Sequence, residues 1–179
     1  MNFKYILKIF LPLVLICAVT SGLVAGVHIL TADKIAENEN EIRLEIEKQK
    51  QELLESIYGD AEFTVLDIAP EGIDEIRVSD GGEYCVTLTC DGYAKDSIEL
   101  FVAFDKDLAV LRVSILSSKE TTGIGTKVEN PEYLSKYEGQ AGDISVDKVA
   151  GASISSKAVL SGVKRAYAAV AELKGVGDE

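Results

Sequence analysis

From Ile9 to Leu30 the sequence contains no aspartate, glutamate, lysine or arginine. Leucine, isoleucine, valine and alanine dominate this run. As a helix at about 1.5 Å per residue, a run of this length spans a hydrocarbon core of roughly 30 Å. Lys4 and Lys8 precede the run, and Asp33, Glu37, Glu39 and Glu41 follow it. The positive-inside tendency therefore predicts a single-pass anchor over 9–30, a cytoplasmic tail over 1–8, and a main domain outside the cell (inner) membrane. A cleaved signal peptide is the main rival, but the run exceeds the ~7–15 residues of an ordinary signal h-region. No Ala-x-Ala site follows it. Cys17 lacks the small residues that would precede a lipid-modified cysteine. Pro12 is tolerable in a membrane helix.

The remainder, from Asp33, holds 16 of the 18 basic residues and all 30 acidic ones, a formal charge of −14 against −12 for the whole chain. Such a body is repelled by phosphate backbones, so nucleic acid is excluded as a partner. With His28 the only histidine, histidine-based metal sites and Ser-His-Asp triads are excluded from the domain, and no metal site is expected. Three cysteines do not make a disulfide framework. Cys85 and Cys90, five apart on one strand pattern, point to opposite faces and are read as ordinary buried residues.

A stalk or docking helix is predicted over 31–58. Ile35, Ile42, Ile46, Leu53 and Ile57 recur on one helical face, too thin a seam to favour a coiled coil. Gly59 is a natural stop. From Glu62 to Ser118 the period becomes two, most clearly where Ile98, Leu100, Val102 and Phe104 alternate with Glu99, Phe101 and Ala103. After the turn-like Asp105-Lys106-Asp107, the chain resumes as Leu108 to Leu116. Then come loops, a short helix around Pro131 to Tyr137, a polar irregular stretch from Gly139 to Asp147, and a final helix from near Ser155 to about Leu173. Ala158, Val159, Gly162, Val163, Ala166, Ala169 and Val170 form its packing face, with small residues allowing close approach to a sheet. The fold class is α+β: anchor, stalk helix, antiparallel-rich sheet and a packed C-terminal helix, with residues 59–179 as the extracytoplasmic domain.

The stretch Asp147-Lys148-Val149-Ala150-Gly151-Ala152-Ser153-Ile154-Ser155-Ser156 is a small-residue turn rich in hydroxyls leading into a helix. It can hold a phosphate, since backbone amides at Gly151 and Ala152 can approach an anion and a helix start offers free N–H groups. The plainer alternative is a serine N-cap at Ser155 or Ser156 with no ligand.

This stretch resembles the flavinylation motif, Asp-x-x-Ser/Thr-Gly-Ala-Thr-x-Ser/Thr, of FMN-binding domains. Such domains occur in the G subunit of the Rnf ion-translocating electron-transport complex and the C subunit of the sodium-pumping NADH:quinone reductase. Asp147, Gly151, Ala152, Ser153 and Ser155 carry the match. A second landmark of that family, Glu-Thr-Pro-Gly-Leu-Gly, is matched by Glu120, Thr121, Gly123 and Gly125, with Thr122 for the proline and Ile124 for the leucine. The order of elements is also the family's, and the chain length suits the Rnf protein. Two positions depart from the pattern: the acceptor is Ser153 where threonine is usual, and Ala150 replaces a hydroxyl residue.

The resemblance implies a membrane-anchored electron carrier of an ion-translocating oxidoreductase, not catalytic alone, with other membrane subunits of the complex as partners. A separate flavin transferase, using FAD and Mg²⁺, would attach FMN as a phosphoester to Ser153, releasing AMP. The expected cofactor-binding set is Ser153, Gly151, Ala152, Ser155, Ser156 and Asp147 from the first motif. Glu120, Thr121, Thr122, Gly123, Ile124 and Gly125 complete it, their glycines letting backbone approach the flavin ring. Lys157 and Lys119 read as solvated, and Tyr133 and Tyr137 as packing residues. The competing reading is a non-redox accessory or assembly subunit of the same fold without covalent flavin. A free-standing flavin reductase has no support, because no G-x-G-x-x-G turn is present.

Overall fold

The computed structural model describes residues 3–67 and 69–175. Met1 and Asn2 of the expected cytoplasmic tail lie outside the described residues, as do positions 176–179 of the expected domain. The chain divides into two compact units, Met1–Glu45 and Ile46–Glu179.

Helix α1 runs over Phe3–Tyr58 and contains Pro12. Its early part is the one helix among the described residues long and apolar enough to cross a membrane. Gly59 ends it with φ +66°, a left-handed conformation that glycine adopts without steric cost.

In the second unit, five strands form an antiparallel meander, in the order β1 (Phe63–Val65), β2 (Glu75–Ser79), β3 (Tyr84–Cys90), β4 (Ile98–Phe104) and β5 (Val110–Ser118). The expected β4–β5 hairpin is present, closed around Asp105, whose side chain accepts from the amides of Asp107 and Ala109 at 2.8 Å each. Two short 3-10 turns flank α2 (Pro131–Leu134), and α3 covers Ser153–Leu173. The α+β class read from the sequence is the one the structure has.

The alternation in β4 separates two cores. Ile98, Leu100, Val102 and Phe104 face the larger one, alongside Val86, Leu88 and Cys90 of β3 and Val159, Val163, Ala166 and Val170 of α3. Phe101, Ala103, Cys85 and Leu116 face the opposite side, where Ile46, Leu53, Leu54, Ile57, Tyr58 and Phe63 pack against them. The two cysteines thus lie in different cores, and both thiols are free. Tyr133 and Tyr137 are buried, their hydroxyls 2.9 Å apart, as packing residues.

The end of α1 is fixed to the sheet by more than apolar contact. The Tyr58 hydroxyl is shared between the carbonyls of Tyr84 (3.0 Å) and Phe104 (2.9 Å). Glu75 lies between Lys50 (3.2 Å) and Arg77, and Arg77 also reaches Glu47. Each of these partly buried charges therefore has a partner, as burial requires.

Phe101 is the central residue of the second core and is 1% exposed. Phe101→Ala is expected to destabilise the domain by about 3–5 kcal/mol, through lost transfer energy and the cavity left behind. Denaturant unfolding of the full chain in detergent measures this, with half-exposed Leu111→Ala as the control. A loss no larger than the control's would mean that the helix face contributes little to the fold.

Candidate functional site

Three loops meet at one end of the sheet. The first joins β3 to β4 and carries Gly92 and Tyr93. The second follows β5 and carries Glu120 to Gly125. The third is the turn at Gly151 that opens α3. Together they line a cavity of about 540 Å³: Tyr93 from the first, Glu120, Thr121, Ile124 and Gly125 from the second, and Gly151 to Ser155 from the third. Both motifs singled out in the sequence, some thirty residues apart, contribute walls to this one space.

Glu120 joins the loops. Its side chain is 8% exposed. Oε1 accepts from the Tyr93 amide (2.9 Å) and the Ser97 hydroxyl (2.7 Å), and Oε2 accepts from the Ser155 hydroxyl. No lysine or arginine among the described residues pairs with it. Burial alone would raise its pKa, but the bonds from Ser155, Ser97 and the amides of Tyr93 and Ala94 outweigh burial and hold it below the ordinary carboxylate value.

A depressed folded-state pKa adds stability that is fully present above the ordinary value of 4.5 and is lost as pH falls below it, through the folded-state value. Thermal melts as a function of pH should therefore show a steeper acid loss for the native chain than for Glu120→Gln. Parallel acid profiles would contradict an ionised Glu120.

The start of α3 differs from the expectation. The helix begins at Ser153, two residues before the predicted start, and its N-cap is Ala152 with φ −130°, which has no side-chain acceptor to offer. The serine N-cap reading is therefore corrected: Ser155 and Ser156 lie inside the first turn. Ser156 is buried, donates to the Ala152 carbonyl (2.8 Å) and accepts from the Val149 amide (2.9 Å), locking the turn. The first α3 amide bonded to backbone is that of Ser156 (2.8 Å to the Ala152 carbonyl), which leaves those of Ser153, Ile154 and Ser155 without a backbone acceptor among the described residues. Such free N–H groups at the positive end of a 21-residue helix suit an anion. Ser153 is exposed, and its hydroxyl bonds to no described residue.

The other expected site residues are distributed as follows. Thr122 and Gly123 are exposed and do not line the cavity; Gly123 instead gives the loop a positive φ of +77°, its amide held by the Thr126 hydroxyl (2.9 Å). A side chain at position 125 would meet Oε2 of Glu120 at 2.4 Å and its Cβ at 2.7 Å. The smallness of Gly125 thus makes room for the carboxylate, and the same residue lines the cavity. Asp147 is exposed and does not line the cavity; it lies in a separate groove with Lys148 and Lys127. Lys157 and Lys119 are exposed, as expected of solvated lysines.

Two residues escaped the sequence reading. Tyr93 is 79% exposed and stands at the cavity mouth with exposed Ile124 and Ile154, an apolar rim outside any core. Lys127 reaches over the turn to the Ala150 carbonyl (3.4 Å), and its ammonium would lie 3.1 Å from a Cβ at position 151. The signal for Tyr93 was a lone aromatic in a Gly-containing loop between two strong strands; Lys127 gave none. An open, partly apolar cavity of this size, with a few convergent polar groups, falls within the roughly 300–1,000 Å³ of small-molecule sites.

Residues 92–168 match the family model of an FMN-binding domain, and residues 1–57 that of the RnfG N-terminal region. The G subunit of the ion-translocating oxidoreductase complex of Haemophilus influenzae (strain PittEE) is 31% identical over 180 residues, covering 84% of this chain and 82% of that protein. The chain belongs to the RnfG family. The counterpart in Shewanella piezotolerans is 27% identical over 191 residues, covering 91% and 88% of the two chains. Against the G subunit of the proton-translocating ferredoxin:NAD(+) oxidoreductase complex of Clostridium ljungdahlii, identity is 31% over 103 residues. That match takes in 51% of this chain and 55% of that protein, about half of each. Every residue lining the cavity, Tyr93 through Ser155, falls inside the FMN-binding match.

Proposed function

We propose that this RnfG-family chain is the flavin-carrying subunit of an ion-translocating oxidoreductase complex, holding FMN in the three-loop cavity through a phosphoester to Ser153. One observation carries the reading: the two motifs converge on a single cavity in which Ser153 presents an unengaged hydroxyl beside three free helix amides. The amides of Ser153, Ile154 and Ser155 would hold the phosphate, and as unpaired donors at a helix start they fit such a group. Tyr93, Ile124 and Ile154 would flank the ring. Lys127 would neutralise remaining phosphate charge. When bound, FMN supplies the electron chemistry; this chain's residues bind it, orient it and restrict water.

The apolar part of α1 would anchor the chain as a single pass. Lys4 and Lys8 would lie on the cytoplasmic side and the flavin domain outside, facing other membrane subunits of the complex. Maturation calls for a flavin transferase using FAD and Mg²⁺, which would meet Asp147 as an exposed residue of the first motif.

The test is the intact mass and absorption spectrum of the full chain, purified in detergent after co-expression with a flavin transferase. The expected result is a gain of one FMN minus one water and a yellow protein. Yellow protein of unchanged mass would replace the covalent link by noncovalent binding. Colourless, unmodified protein, from a transferase active on a threonine-bearing relative, would overturn the carrier reading.

A further inference from the structure

We infer that Glu120 is the positioning residue that selects Ser153 as the acceptor, by withholding Ser155 from the same chemistry and fixing the start of α3. The inference rests on the covalent reading above. Ser153, Ser155 and Ser156 offer three hydroxyls within four positions, so chemistry alone does not choose among them. Ser156 is turned into the backbone of the turn. Ser155 lines the same cavity as Ser153, but is 3% exposed and donates its proton to Oε2 of Glu120. Of the three, only Ser153 is exposed and unengaged among the described residues.

The surroundings are built around this carboxylate. A Cβ at Gly92 would lie 2.4 Å from Oε1, and one at Gly125 would lie 2.4 Å from Oε2, so both flanking glycines leave the space it fills. Its oxygens tie the β3–β4 loop, through Tyr93 and Ser97, to the first turn of α3, through Ser155. The joint between the two motifs is thus the Glu120–Ser155 hydrogen bond. Charge-assisted bonds of this kind are about twice as strong as neutral ones, which suits a group that must hold a helix start in place. Glu120 touches no reacting atom. In the step it serves, the Ser153 Oγ–H bond and the pyrophosphate P–O bond of FAD break, and an Oγ–P bond forms. AMP leaves with the bridging oxygen, the serine proton passes to a base of the transferase or to solvent, and no group is oxidised or reduced.

The experiment uses the full chain in detergent with a flavin transferase, FAD and Mg²⁺, reading the initial rate of labelling and the labelled residue by peptide mass spectrometry. In the native chain the label is expected on Ser153 alone. Glu120→Gln should slow labelling about tenfold. Ser153→Ala should leave Ser155 unlabelled, whereas Ser153→Ala combined with Glu120→Gln should carry label on Ser155. Labelling of a folded Glu120→Gln at the native rate would overturn the inference. So would label on Ser155 in Ser153→Ala alone, and a double variant that stays unlabelled would assign the exclusion of Ser155 to burial and overturn the role given to Glu120. Should Glu120→Gln fail to fold, the pair Ser155→Ala and Ser155→Thr decides: slowing in the first with rescue in the second supports the bond, and equal rates sink it. An unlabelled native chain would overturn the covalent reading itself, an outcome distinct from a labelled chain insensitive to Glu120.

Discussion

With Ser153 as the proposed acceptor, its replacement by alanine is expected to abolish flavin attachment completely, whereas Ser153→Thr should be labelled at least as fast as the native chain. Among the described residues, alanine removes the one serine hydroxyl at the cavity that is both exposed and free of a partner. Threonine keeps that oxygen and adds a methyl that narrows its rotamers, so less freedom is lost when the oxygen is placed for attack. The first turn of α3 tolerates either residue, because Ala152 and not position 153 is the N-cap. Ser156→Ala serves as the contrast: it removes the bonds that lock the turn at Val149 and Ala152, so its cost should appear in stability before it appears in chemistry. Intact mass and flavin fluorescence of the denatured full chain separate these outcomes. A Ser153→Ala chain that retains the full mass gain would move the attachment elsewhere and end the assignment of this site.

How much of this was legible beforehand depends on the range of the interaction concerned. The apolar run at 9–30, the stop at Gly59 and the alternation of β4 are written in local composition and in periodicities of two and about 3.6 residues, which the sequence displays directly. The β4–β5 turn was legible because Asp105 bonds its own neighbours, Asp107 and Ala109. The start of α3 was missed by two residues for a comparable local reason. Helix starts are recognised by a side-chain cap, and Ala152 has none, so the serines at 155 and 156 drew the boundary instead.

The site was legible as two motifs but not as a joint. That Glu120 belongs with Ser155 is a contact between residues 35 apart in sequence, and no periodicity reports it. That Gly125 makes room for the Glu120 side chain is a fact available only once the loop is folded. Tyr93 and Lys127 were passed over because neither lies in a motif; one is noticed by its exposure, the other by its reach across the turn.

Replacing Gly162 with alanine should destabilise the domain, although local propensity predicts the opposite. In an exposed helix, glycine to alanine gains about 1 kcal/mol. At position 162 the added Cβ would lie 2.5 Å from Cys90 Sγ and 2.6 Å from Leu100 Cδ1. Both neighbours are buried side chains of the two central strands, 2% and 0% exposed, so they cannot withdraw into solvent. Overpacking of this kind costs typically about 1–3 kcal/mol; with two buried neighbours to displace, the upper part of that range applies and outweighs the propensity gain, and Gly162→Leu should exceed the range and leave no cooperative transition. Denaturant unfolding of the full chain in detergent gives the sign directly. An alanine variant more stable than the native chain would mean that α3 can lift from the sheet at little cost. The consequence reaches the site, because α3 also carries Ser153 and Ser155: a helix pushed off Leu100 pulls Ser155 away from Glu120. Flavin attachment should therefore fall in Gly162→Ala together with stability, while the more destabilising Phe101→Ala in the other core should leave the rate of attachment to folded protein unaltered.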